Sequence, residues 1–205
     1  MADPLPPGAD VGFDSEALSA LWRERRPLGP PVAHRLRSVY NDRWVRFHSL
    51  PGGKRYPENE HEYTTVLDRY NTVLDGLFAG GDVFVVTMAW SAPPAEAEHP
   101  ASRRTADPGA SHWMTLTDVD DPDLDSDVHA HLYVSRRPWQ SGCIDTLLRH
   151  VADDELAGVL VTDTDLRRIH HPYDGGADVI LATPQERDAL RDEHRNWLSS
   201  HPSGC

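Results

Sequence analysis

Two histidines separated by one residue, His129 and His131, form the clearest candidate for metal chemistry in the chain. Side chains of a β-strand alternate between its two faces, so both imidazoles would lie on one face of a strand over this segment. Zinc sites use at least three protein ligands, and His112 in the preceding apolar segment would have to supply the third. A strand with its histidines exposed, and with Ala130 and Leu132 on its buried face, explains the pattern without a metal. A metal-dependent enzyme that uses His129 and His131 therefore stays an alternative hypothesis.

An acidic run precedes these histidines and offers carboxylates to a cation or to a basic surface. Its aspartates are Asp118, Asp120, Asp121, Asp123, Asp125 and Asp127. The spacing from Asp123 onward matches the first half of a calcium-binding loop, but Val128 stands where that loop requires glycine and Val134 where it requires glutamate. The run is more typical of a solvated acidic turn. Four of its members are candidates for contact with a basic partner: Asp120, Asp123, Asp125 and Asp127.

The string His-His-Pro-Tyr-Asp-Gly-Gly at residues 170–176 combines titratable groups with a turn signal. Aspartate bonds to the backbone of tight turns and glycine adopts the positive φ that they need, so the string predicts the tip of a hairpin. This turn chemistry explains the aspartate and both glycines without a ligand. The competing hypothesis is a polar cluster that contacts a partner. Its candidate residues are His170, His171, Tyr173, Asp174 and Asp178.

Three large polar or amphipathic side chains alternate along residues 43–50, a predicted strand. Trp44, Arg46 and His48 share one face of it, while Val45 and Phe47 share the other. Tryptophan and arginine are typical anchors of protein interfaces. If the first face is open, it is a candidate partner-binding patch, whereas a helix lying over it would make Trp44 part of the core. The sequence leaves both alternatives open.

The charge of the chain restricts the kind of partner. It carries 20 basic and 33 acidic residues, a formal net charge of −13. Nucleic-acid-binding domains present a basic face to the phosphates, and the sequence shows no basic cluster of that kind, so no nucleic acid is expected. An acidic protein attracts basic protein partners instead.

Familiar catalytic and targeting signals do not occur. The chain has no phosphate-binding glycine loop, dinucleotide motif, serine-hydrolase elbow or zinc-finger spacing, so we expect no cofactor and no common enzyme class. Cys143 and Cys205 form neither a disulfide framework nor a Cys-x-x-Cys pair. The N-terminal residues do not resemble a signal peptide, and no apolar run approaches the ~20 residues of a membrane span. We therefore expect a cytoplasmic protein with no membrane partner.

Hydrophobic periodicity predicts an α+β fold in a single domain, with about four helices and a mostly antiparallel mixed sheet. The helices should begin near Ser15, Pro57, Ser141 and Thr183, with a further helical turn around residues 34–40. Strands are predicted over residues 43–50, 83–90, 112–117, 128–135, 158–162, 167–173 and 177–182. Residues 14–200 would form the domain, residues 1–13 a flexible arm, residues 201–205 a tail and residues 91–110 a long mobile loop.

The periodic segments also predict the core. The helix from Pro57 ends at Gly80-Gly81, and its apolar stripe runs from Tyr63 to Phe78. The continuous apolar segment 83–90 is typical of a central strand buried on both faces. In the helix near Ser141, we expect Cys143 to belong to the inner stripe.

Three stretches together resemble a bacterial domain family of unknown function, DUF3885. They are residues 43–47, the start of the buried strand at residues 82–83, and residues 171–179. The resemblance covers roughly residues 40–200. The family's late motif, Tyr-Asp-Asp-Arg-Gly-x-Asp, corresponds here to Tyr173, Asp174, Gly176 and Asp178, with one residue fewer and without the arginine. Proteins similar to this family often occur beside secreted toxins, so the resemblance implies an immunity context.

These observations favour a non-catalytic binding protein, in its most specific form one that neutralises a basic toxin through an acidic surface. The aspartates of residues 118–127, the turn at Asp174, and Trp44 with Arg46 would form that surface. The metal-dependent enzyme at His129 and His131 is one alternative. An interaction module without any link to a toxin is the other.

Overall fold

The computed structural model describes residues 13–92, 101–117 and 128–198. The predicted arm up to residue 12, residues 93–100 of the predicted loop, the acidic run 118–127 and the tail lie outside these residues. The helices in the described parts are α1 (Ser15–Arg25), α2 (Ala33–Val39), α3 (Glu60–Phe78), α4 (Ala101–Ala106), α5 (Asp145–Ala152) and α6 (Pro184–Glu193). The strands are β1 (Trp44–His48), β2 (Asp82–Ser91), β3 (Ser111–Leu116), β4 (His129–Pro138), β5 (Leu160–Asp163), β6 (Ile169–Tyr173) and β7 (Gly176–Ile180).

The strands form one sheet in the order β1-β7-β6-β5-β2-β4-β3, and each neighbouring pair is antiparallel. The predicted α+β class and the antiparallel character of the sheet are confirmed. The prediction of a mixed sheet is wrong, because every pair of neighbouring strands is antiparallel.

The expected number of about four helices is too low, because α2 and α4 are also present in the described residues. Helix α4 lies within residues 91–110, where the sequence predicts a loop. Helix α2 spans seven residues and coincides with the helical turn predicted around residues 34–40. Helix α4 spans only six residues, too few for hydrophobic periodicity to identify it.

Helices pack on both faces of the sheet. The alternation along β2 directs Val83 and Val85 into a core formed with α3 and α5. Phe84 and Val86 point into a second core formed with α1 and α2. The central strand is therefore buried on both faces, as its continuous apolar sequence predicts.

The longest helix, α3, forms the main contact with the first core. Its stripe Val66, Tyr70, Val73, Leu74, Leu77 and Phe78 is buried, as predicted, and burial of each large apolar side chain contributes roughly 1.5–3 kcal/mol. The helix begins three residues after Pro57, because the side chain of Asn59 accepts a hydrogen bond from the backbone N–H of Glu62 (3.1 Å) and caps it there.

Two further helices differ from the sequence-based expectation in detail. Helix α5 begins at Asp145, and Cys143 is exposed in the preceding turn instead of packing in the inner stripe. Helix α6 begins as predicted, because Thr183 Oγ1 accepts from the backbone N–H of Glu186 (3.2 Å). The Glu186 carboxylate bonds to Arg168 (2.9 Å) and does not complete a capping box.

Strands β6 and β7 form the predicted hairpin, and the two glycines at its tip have different roles. Gly175 has a φ of +90°, the left-handed conformation that glycine adopts without strain. At Gly176, a Cβ atom would lie 2.5 Å from the Phe47 carbonyl oxygen on β1. Gly176 is therefore required for the close approach of β1 to the hairpin tip.

Of the helices in the described parts of the chain, none combines the length and the apolar character needed to cross a membrane.

Candidate functional site

The register of three neighbouring strands places the predicted polar residues in one row across the sheet. Arg46 on β1 lies opposite Asp178 on β7, which lies opposite His171 on β6. Arg46 and Asp178 form a bidentate ion pair, with Nε–Oδ1 at 2.8 Å and Nη2–Oδ2 at 3.3 Å. Their side chains are only 12% and 5% exposed. The Arg46 guanidinium also lies over the rings of Trp44 (5.4 Å) and Tyr173 (5.3 Å), so internal contacts occupy it fully.

The histidine at the end of this row is also internal. His171 is buried, and its Nδ1 donates a hydrogen bond to the Val159 carbonyl oxygen (2.8 Å). Burial lowers the pKa of His171, and the like charges of His34 and Arg37 on α2 act in the same direction. The imidazole is therefore neutral at physiological pH and stabilises the sheet.

His170 faces the opposite side of the sheet and is fully buried. Among the described residues, no protein atom forms a hydrogen bond with either ring nitrogen. The ring meets that of Tyr70 edge-on at 5.8 Å. Burial lowers the pKa of His170 to about 3, so the ring is neutral and cannot contact a partner directly.

The candidate partner-binding residues from the sequence thus differ in accessibility. His170, His171 and Asp178 are buried, whereas Trp44, Arg46, His48, Tyr173 and Asp174 are half-buried. Trp44 packs against the second core, so its face is largely covered. Asp120, Asp123, Asp125 and Asp127 lie outside the described residues.

The tip of the hairpin connects to an exposed surface. The Asp174 carboxylate forms an ion pair with Arg55, whose side chain is 63% exposed. A hydrogen bond to Asp174 is the largest cause that raises the pKa of the Tyr56 hydroxyl. Tyr56 is itself 43% exposed. The aspartate of the turn therefore orients an exposed tyrosine and an exposed arginine.

A second tyrosine is held in the same way at the end of α5. The Tyr63 hydroxyl donates to the Asp153 carboxylate, and this hydrogen bond is the main cause that raises the pKa of Tyr63. Arg149 lies over the Tyr63 ring at 4.3 Å and bonds to Glu60 at 2.7 Å. Asp154 follows with a φ of +59°, which is unusual for a residue other than glycine.

Asp154, in the second group, lies near Arg55 and Tyr56 of the first group. Its negative charge contributes to the raised pKa of both residues. We call the combined surface the tyrosine–carboxylate surface. It consists of Tyr56, Glu60, Tyr63, Asp153, Asp154 and Asp174. Glu58, Glu62 and Glu155 add negative charge beside it, and the nearby cations that its contacts show are Lys54, Arg55 and Arg149. Carboxylates therefore outnumber cations there.

Sequence reasoning identified only Asp174 of this surface. The sequence places Tyr63 in the core stripe, and its half-buried side chain does pack against the first core, while its hydroxyl reaches Asp153 on this surface. The sequence pattern does not point to Tyr56, Asp153 or Asp154 as binding residues. One signal was present: three acidic residues, 153–155, follow the C-terminal end of α5. The negative end of the helix dipole disfavours carboxylates at this position, so their presence there indicates a role other than helix stability.

The three histidines of the metal hypothesis do come together on the sheet. The His131 ring lies 6.3 Å from that of His112 and 6.4 Å from that of His129. Both nitrogens of His131 are within hydrogen-bonding distance of hydroxyls, Nε2 of Ser91 Oγ (2.7 Å) and Nδ1 of Thr115 Oγ1 (2.8 Å). His112 Nε2 lies 3.0 Å from the same threonine oxygen.

This arrangement favours a chain of hydrogen bonds over metal ligation. Burial lowers the pKa of His131, with His112 and His129 acting in the same direction. Within residues 13–92, 101–117 and 128–198, no three histidine, cysteine or acidic side chains are placed to hold a metal ion. The hydroxyls would have to move away before His131 could bind one.

The fold and the surface define an α+β protein with a seven-stranded antiparallel sheet, whose hairpin tip supports an acidic surface containing tyrosines. The chain matches a known family over residues 32–202. It belongs to the DUF3885 family, a domain of unknown function. Comparisons with curated proteins and with solved structures gave no significant match.

Proposed function

We propose that the protein is a non-catalytic binding protein of the bacterial cytoplasm that holds a basic protein partner on its tyrosine–carboxylate surface. One observation carries this proposal: the Asp153 carboxylate holds the hydroxyl of Tyr63, and the exposed Tyr56 lies beside the Arg55–Asp174 ion pair, on an accessible surface with excess negative charge. Tyrosine is enriched among the residues that dominate binding energy in protein interfaces.

The internal contacts of this surface support a specific way of recognising a partner. Arg149 already lies over the face of Tyr63 and bonds to Glu60. A guanidinium of the partner would make the same two kinds of contact, a cation–π contact with a tyrosine ring and a charge-assisted bond to a carboxylate. The net charge of −13 would also accelerate the approach of a basic protein.

The most specific form of the proposal is an immunity-type protein that neutralises a basic toxin. Such a protein acts by stoichiometric binding, without turnover. Asp120, Asp123, Asp125 and Asp127 stay candidates for contact with such a toxin on the basis of the sequence alone. A general interaction module would use the same surface and would differ only in the identity of its partner.

The test is co-expression of the protein with the products of its neighbouring genes, followed by co-purification. We expect a 1:1 complex with a basic neighbour that weakens as salt rises, because screening reduces attraction between exposed charges. The double variant Asp153→Asn and Asp154→Asn should weaken the complex about tenfold or more, given the usual strength of charge-assisted contacts.

The matched control is the double variant Asp188→Asn and Asp192→Asn, which removes the same charge from α6. This variant should bind nearly as well as the native protein. Equal weakening by both variants would show that only the total charge matters, and the absence of any basic partner would remove the support for the proposal.

A metal-dependent enzyme at His129 and His131 is the second candidate, favoured by the convergence of these imidazoles with His112. The hydroxyl contacts on both nitrogens of His131 make it the weaker one. Elemental analysis of the same purified sample separates the two candidates. Near-stoichiometric zinc without a protein partner would make the metal-dependent enzyme the stronger candidate.

A further inference from the structure

We infer that a cavity of about 170 Å³ between the C-terminal end of α1 and the N-terminal end of α6 is a binding site for a phosphoryl group. Four arginines line it, in a chain with only 20 basic residues and a net charge of −13. They are Arg25, Arg26, Arg43 and Arg167, and Leu166, Ala182 and Thr183 complete the wall.

Arg26 forms the rigid part of the site. It is buried, and backbone carbonyl oxygens fix its guanidinium: Leu166 O accepts from Nε (2.9 Å) and Arg167 O from Nη2 (2.6 Å). The guanidinium also lies over the Tyr40 ring at 5.0 Å. These contacts orient the positive charge without a carboxylate in direct contact, although the negative charge of Asp163 attracts it from farther away.

The other arginines add charge that is only partly compensated. Arg43 donates from Nη1 to the Ala182 carbonyl oxygen (3.3 Å), and Asp42 lies 3.3 Å from its Nε. Arg25 lies 3.7 Å from the exposed Glu24. Among the described residues, neither Arg26 nor Arg167 has a carboxylate within 4.0 Å. Asp42, Glu24 and Asp163 compensate the four guanidinium groups only in part, and the remaining repulsion between like charges disfavours folding. This excess of positive charge points to an anion that compensates it.

The end of α6 contributes a further polar group. Thr183 caps this ten-residue helix, and its hydroxyl oxygen accepts from the backbone N–H of Glu186. The hydroxyl hydrogen therefore remains able to donate to an anion in the cavity. The positive end of the helix dipole acts in the same direction as the arginines.

The size and the donors of the cavity define the ligand class. Arginine presents paired N–H donors that match the oxygens of phosphate, and several guanidiniums together suit a dianion. A volume of about 170 Å³ is small compared with the ~300–1,000 Å³ of drug-sized ligand sites. The ligand is therefore inorganic phosphate or the phosphoryl end of a small phosphomonoester.

This site is separate from the tyrosine–carboxylate surface. The two share no residue and have opposite charge. A negative result for one therefore has no bearing on the other.

Isothermal titration calorimetry on the full chain tests the site with two probes, inorganic phosphate and ribose 5-phosphate, against chloride at matched ionic strength. We expect saturable 1:1 binding of at least one phosphate probe. The variants Arg167→Gln and Arg25→Gln change exposed residues and should fold normally. Each should weaken binding about tenfold, the usual effect of losing one charge-assisted contact.

Arg195→Gln is the matched control, since it removes one exposed positive charge outside the cavity, and it should leave the affinity unchanged. Tighter binding of ribose 5-phosphate would identify a phosphomonoester as the ligand, and equal or weaker binding would identify the free anion. No binding of either probe, or equal affinities in Arg167→Gln, Arg25→Gln and the native protein, would overturn the inference.

Discussion

Arg46 and Asp178 lie directly opposite each other on β1 and β7, and their nearly buried side chains form a bidentate ion pair. This pair joins the edge strand β1 to the hairpin that supports the tyrosine–carboxylate surface. The register therefore couples the stability of the sheet edge to the position of Asp174.

The first prediction concerns this pair. Asp178→Asn keeps the shape of the side chain but leaves the Arg46 charge without its partner. Breaking a buried pair in this way should lower the free energy of unfolding by about 3 kcal/mol. Urea denaturation measures the change.

The pair of Arg136 and Asp82 provides the control, because both of its side chains are 38% exposed. Asp82→Asn should cost no more than about 1 kcal/mol. If both variants lost the same stability, burial of the Arg46–Asp178 pair would have no energetic consequence. The double variant Arg46→Met and Asp178→Leu should recover much of the loss, because it removes both charges.

The second prediction concerns the pH dependence caused by His170. Its pKa is about 3 in the folded protein and ~6.5 in an unfolded chain. The unfolded state therefore binds more protons between these values, and stability falls as pH decreases from about 6.5 towards 3. The slope from this group is at most about 1.4 kcal/mol per pH unit.

His170→Phe should remove this contribution while keeping an edge-on contact with Tyr70. Above pH 6.5 the variant should be as stable as the native protein or about 1 kcal/mol more stable, since it removes buried nitrogens that lack protein partners. Below pH 6 the advantage should grow. Parallel profiles for His170→Phe and the native protein would contradict the prediction.

The third prediction distinguishes two glycines by their surroundings. Gly176→Ala places a Cβ atom against the Phe47 carbonyl oxygen and within 3.0 Å of the Tyr173 hydroxyl. The backbone must shift, and overpacking of this kind costs roughly 1–3 kcal/mol. Gly76→Ala on α3 meets nothing within 4 Å and should stabilise the helix by roughly 0.5–1 kcal/mol. Thermal denaturation of both variants checks the opposite signs.

The sequence correctly predicted the elements that have a long periodic pattern or clear turn residues. The stripe of α3, the continuous apolar run of β2 and the turn at Asp174 each carry a local signal of their conformation. Helix α4 was missed because six residues carry too little periodicity, and Cys143 was misplaced because α5 begins two residues after it. Helix boundaries depend on capping contacts, which adjacent apolar residues do not reveal.

The candidate site was harder to predict because it depends on tertiary contacts. Tyr56, Asp153 and Asp174 come from three distant segments, and no local pattern links them. The exposure of each side chain decided which predicted residues could contact a partner. His171 and Asp178 are polar residues of the kind found at surfaces, but both are buried in the sheet. The carboxylates after α5 were the one local signal, since they oppose the helix dipole.

The fourth prediction concerns Arg149 and the proposed binding of a basic partner. This arginine occupies the face of Tyr63 and neutralises Glu60, the contacts that a partner's arginine would make. Arg149→Gln should therefore raise the affinity of the basic partner about two- to fivefold, the size expected for one exposed cation–π or ionic contact. Arg136→Gln removes the same charge at a position paired with Asp82 and should raise the affinity less. Titration calorimetry on the co-purified partner compares the three proteins. If Arg136→Gln increased the affinity as much as Arg149→Gln, the affinity would depend only on the net charge of the protein and not on the contacts of Arg149. If Arg149→Gln weakened binding, Arg149 would itself contact the partner.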